Sequence, residues 1–180
     1  MPNKKKNEFD PYSIDKFDKI PMGVKVFITK WWLAGAVCYF GSWGLGLLIS
    51  DSLDQALATG IILGACIEIL LNNIIRYLMP DKDKTKANKY ILITSKKYLA
   101  FILNLLYGIA MGFLIAYSYN YLNIGIISLF NLDPTSVPIG TEPILYGLFF
   151  YGFDFIFLSV KHYIMNIKNK KNDQKNEVAK

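Results

Sequence analysis

Apolar residues in this chain fall into four long blocks, separated by short polar stretches that carry most of the charge. Crossing about 30 Å of hydrocarbon takes about 20 residues of helix. The blocks at 31–49, 56–78, 98–122 and 144–164 meet that length and predict an all-α membrane bundle of four crossings. Residues 1–23 read as a polar N-terminal tail with an interfacial turn, 24–164 as the transmembrane domain and 165–180 as a polar tail. Before the first crossing, Val24, Phe27, Ile28 and Trp31 recur at helical spacing with Lys25 and Lys30 on the other side. This predicts an amphipathic segment lying at the cytoplasmic interface.

The second block organises the rest. Ala56, Gly60, Gly64, Glu68, Asn72 and Arg76 recur every four residues, and side chains four apart share one face of a helix. The third block repeats the device with Ala100, Asn104, Gly108, Gly112, Ala116 and Asn120. Small residues let membrane helices approach closely, so the two ladders are expected to pack face to face through Gly60, Gly64, Gly108 and Gly112. Tyr90 to Lys97 is too short to span and reads as interfacial. Asn123 to Pro143 reads as an outer loop.

Charge fixes the expected orientation. Of 20 Lys and Arg residues, seven precede Trp31, six lie between Lys82 and Lys97, six follow from Lys161, and Arg76 ends the second block. The other two connections hold none, which predicts a multi-pass cell-membrane protein with both termini cytoplasmic. The net charge of +6 is thus a matter of topology, and nucleic acid is not an expected partner.

Two carboxyls, Glu68 and Asp154, lie inside apolar blocks, where a charge costs about 2.5–3.5 kcal/mol on insertion scales. Around them the segments EILLNNIIRYLM and DFIFLSVKHYIM align, each an acid followed eight residues later by a base, then Tyr, an aliphatic residue and Met. The alignment suggests a tandem repeat of two hairpins. Three states are open to the acids. They are protonated and hydrogen-bonded to Asn72, Asn73, Asn104 or each other; or ionised and paired with Arg76 or His162; or they line a wet cavity and bind a proton or cation. The last makes the chain a small transporter or channel component, with Glu68, Asp154, Asn72, Asn73, Asn104 and Arg76 as its polar interior. The others suit a non-transporting accessory or scaffold subunit of a larger membrane complex. A four-helix bundle this small encloses little solute path alone, so a homodimer or another membrane subunit is expected beside the lipid bilayer.

Two cysteines, Cys38 and Cys66, and one histidine leave no thiolate or multi-histidine metal set, and no cofactor motif occurs. HExxH, GxSxG and P-loop patterns are missing, so no catalytic residues are assigned and an enzyme is not expected. Lys30-Trp31 followed by Ala34-Gly35, and Asn73 followed by Arg76-Tyr77, are similar to GtrA-like proteins over that handful of residues. The resemblance implies a small four-helix protein linked to movement of lipid-linked sugars, a lipid-linked-solute translocation factor. The two intramembrane acids are not part of that pattern.

Overall fold

A computed structural model describes residues 19–79, 84–94, 97–131 and 142–178. The Lys4–Lys6 run, the turn at Ser13, Lys82, Lys96 and the Pro134–Gly140 turns lie outside the described residues. Within them every regular element is helical. Helix α1 is Met22–Gly46, α2 is Ser52–Tyr77, α3 is the short Lys84–Ala87, α4 is Lys97–Phe130 and α5 is Glu142–Val178.

Three helices are long and apolar enough to cross a membrane: α2, α4 over Tyr98–Phe130, and α5 over Glu142–Lys170. Helix α1 falls short, because Trp, Tyr, Gly and Ser dilute its aliphatic content and two lysines sit in its first half. It also corrects the expected interfacial entry. Residues 22–46 form one unbroken helix, and its lysines point inward: Lys25 and Lys30 are buried while Val24 and Ile28 are exposed. Pro21 opens the helix, where a missing N–H costs nothing.

The other boundaries differ from the sequence reading for physical reasons. Asp51 caps α2 by accepting from Leu53 N (2.8 Å) and Asp54 N (3.2 Å), so the helix starts at Ser52. Helix α4 absorbs the first part of the expected outer loop and stops at Asn131, whose φ of 52° is left-handed. Helix α5 runs through most of the expected tail, since Lys, Gln and Glu are good helix formers and extending an existing helix needs no new nucleus. Ile91, in the segment read as interfacial, is buried against the bundle.

The helices close into a ring in which α2 packs most tightly on α4, and α1 on α5. The seams are backbone-close. A Cβ added at Gly64 would stand 2.7 Å from Leu105 Cα, and one at Gly60 2.6 Å from Ile109 Cα. At Gly108 it would run into the backbone of Gly64, and at Gly112 it would stand 2.9 Å from Gly60 Cα. No ladder in the sequence predicts the second seam. There Gly35 leaves no room before Pro143 O, and Gly147 none before Trp31 O.

Candidate functional site

Four residues of helix rise about 6 Å and return to nearly the same face. Stepping by four along each long helix resolves the interior into layers. A cleft of about 200 Å³ opens where α1 ends and α2 begins, with Cys38, Thr59, Ile115 and Tyr146 each contributing from a different helix. One turn deeper, Ala34, Leu63, Met111 and Phe150 are all at 0% exposure, an apolar plug. One turn deeper again come Lys30, Ile67, Tyr107 and Asp154. This layer is polar on three of its four sides.

Lys30 and Asp154 are 2% and 3% exposed and form a direct ion pair, the ammonium of α1 meeting Oδ2 of α5. Tyr107 of α4 donates to the other oxygen, Oδ1, at 2.8 Å. Lys30 Nζ also donates to Tyr90 O at 2.7 Å, and Lys161 Nζ to Ile91 O at 2.7 Å. The segment after α3 is therefore held under the bundle by two lysines. A buried charge survives when paired and hydrogen-bonded, which this carboxylate is at both oxygens. A second cleft, of about 180 Å³, reaches the pair from the basic end, with Lys89, Tyr90 and His162 among its walls.

Glu68 stands apart. It lies in a π-turn, Ile67–Leu71, where the Asn72 N–H reaches back to Ile67 O. Its Oε2 accepts from Asn104 Nδ2 at 2.7 Å and Asn72 Nδ2 at 3.1 Å. Glu68 is half-buried, whereas both asparagines are buried. Between the two acids a void of about 10 Å³, close to the size of one water, touches Asn72 and Asn104 on one side and Lys30, Tyr107 and Asp154 on the other. Glu68 is not among its walls.

The remaining sequence candidates fall outside this centre. Asn73 is exposed and donates to Ile69 O at 2.8 Å, and Arg76 donates to Asn73 Oδ1 at 3.3 Å. Among the described residues neither Arg76 nor His162 pairs ionically with Glu68 or is the ionic partner of Asp154. That partner is Lys30, which the sequence pattern sets on the wetted side of an amphipathic entry. The signal that points to it is a stripe: Lys30, Ala34, Cys38 and Ser42 repeat every four residues, as do Tyr107, Met111, Ile115 and Tyr119. Among the described residues no group of three His, Cys, Asp or Glu could hold a metal ion. Compared with protein-family models, curated proteins and solved structures, the chain matches none of them.

Proposed function

We propose that this chain is a small membrane transport component of four crossings, with both termini cytoplasmic, whose working centre is the Lys30–Asp154–Tyr107 cluster rather than a Glu68–Asp154 pair. One observation carries the reading: a buried acid–base pair lines the basic-end cleft and is cut off from the opposite cleft by a single apolar layer. Acids and bases at membrane depth typically mark proton or ion paths. A proton or cation arriving from the basic end would compete with Lys30 for Asp154. Tyr90 O stands ready to keep the displaced ammonium hydrogen-bonded. Helix α1 is the fourth crossing in this reading, because burying Lys30 against Asp154 offsets much of the cost that its lysine adds. A homodimer or partner subunit would complete the path.

Proton, sodium and potassium flux into proteoliposomes tests this, beside a thermal melt of each variant. The wild type should pass one of these ions, and folded Asp154→Asn should not, because Asn neither releases a proton nor balances a cation. Wild-type flux in folded Asp154→Asn, or none in the wild type, overturns the proposal. An accessory role in a larger membrane complex is favoured by a different observation: both acids are already hydrogen-bonded within the chain.

A further inference from the structure

The transport reading leaves the cleft at the α1–α2 turn unused. Thr59, 6% exposed, lines it, and its Oγ1 has no hydrogen-bond partner. Other helical hydroxyls here return to their own helix: Thr29 donates to Lys25 O and Ser159 to Phe155 O, each at 2.8 Å. Thr59 does not, and a buried hydroxyl left without a partner is destabilising. Around it stand Ser42, Gln55, Tyr119, Asn120 and Tyr146, all uncharged. Gln55 spends an N–H on Ser42 O, which leaves its carbonyl oxygen, and the Tyr119 hydroxyl, which donates to Glu142, keeps capacity to accept. The Tyr119 and Tyr146 rings meet edge to face at 5.0 Å, an aromatic wall beside these polar groups.

We infer that this cleft is a binding site for a small neutral polyol, held by Thr59, Gln55, Asn120 and the Tyr119–Tyr146 pair. The class follows from the walls. None of the lining side chains is ionic, and the Glu142 carboxylate beside them already accepts from the Tyr119 hydroxyl at 3.5 Å. Donors and acceptors on three helices suit several hydroxyls, and the rings suit the C–H faces between them. At about 200 Å³ the space lies below the roughly 300 Å³ at which drug-sized pockets begin, so the ligand is small. The inference concerns binding and holds whether or not the chain moves what it binds.

Titration calorimetry on the full chain in detergent tests it, with myo-inositol, sorbitol and glycerol as probes and choline and lactate as charged controls. At least one polyol should bind saturably and more tightly than either control. Thr59→Val removes only the hydroxyl and should weaken that binding about fivefold to tenfold, the worth of one hydrogen bond. Tyr119→Phe should weaken it too and gives the reading if Thr59→Val fails to fold, while Tyr163→Phe on the exposed face of α5 should not change it. Absence of saturable polyol binding, tighter binding of a charged control, or unchanged affinity in folded Thr59→Val and Tyr119→Phe would overturn the site.

Discussion

The two seams of this bundle use one plan with different chemistry. In each, glycines bring two backbones together and a carboxyl follows on the basic side of them. On the α2–α4 seam the acid is Glu68, bonded to two amides and half-buried in a π-turn. On the α1–α5 seam it is Asp154, nearly fully buried between an ammonium and a phenol. An amide partner accepts a carboxyl in either protonation state, because its N–H donates to both. An ammonium favours the charged form alone. Glu68 is therefore tied to two neutral amides, whereas Asp154 and Lys30 act as a unit.

The largest expected effect breaks that unit. Lys30→Met leaves Asp154 buried without its counter-charge, and truncating one side of a buried pair costs about 3–5 kcal/mol. A chemical melt of the detergent-purified protein should show it. The double change Lys30→Met with Asp154→Leu should recover most of the loss, since both buried charges are then gone and the Tyr107 hydroxyl is the layer's one polar group. Equal stability of the single and double variants would mean the pair is not coupled.

Next comes the glycine plan itself. Gly108→Leu places a branched side chain against the Gly64 backbone, which cannot rotate away as a side chain can. Overpacking of this kind costs about 1–3 kcal/mol, and Gly35→Leu, which faces Pro143 O, should cost a similar amount. Gly125→Leu, with open space around it, is the control and should be mild. If only Gly108→Leu destabilises, the two seams are not equivalent and their shared plan fails.

What is legible in the sequence follows from this contrast. The Gly60–Gly64 and Gly108–Gly112 ladders are readable because both members of the contact are glycines at regular spacing. The α1–α5 seam is not, because each helix brings a single glycine, Gly35 against Pro143 and Gly147 against Trp31, so no small-residue ladder stands on either side. Lys30 is easily misread because periodicity reports two faces of a helix but not which is inside. A lysine opposite Val24 and Ile28 normally means water, and here it means Asp154. The π-turn at Glu68 leaves no trace in the residue pattern, since it shifts one backbone hydrogen bond without a special residue type.

A smaller effect sharpens the chemistry of the Asp154 cluster. Tyr107→Phe removes one hydrogen bond to a carboxylate that keeps its ammonium partner. The expected cost is about 1.5–3 kcal/mol, the range for bonds to charged groups, and it should vanish in the Asp154→Leu background. A melt in both backgrounds reads this directly. An undiminished cost once the carboxyl is gone would assign Tyr107 a packing role instead.

The smallest effect is expected at Glu68. Glu68→Gln keeps the length of the side chain and one carbonyl oxygen, which can still accept from Asn104 Nδ2 or Asn72 Nδ2. Because Glu68 is half-buried, its new amide N–H groups can turn toward the accessible side of the π-turn rather than clash with the two asparagine donors. Stability should change by less than about 0.5 kcal/mol, the range of substitutions that break no buried network. Asp154→Asn has no such freedom, since its amide would face the buried Lys30 ammonium, and it should cost clearly more. Melts of the two conservative variants side by side therefore separate the seams without touching a glycine. If Glu68→Gln costs as much as Asp154→Asn, Glu68 is held as a charge after all, and the distinction between an amide-bonded acid and an ion-paired one does not describe this bundle.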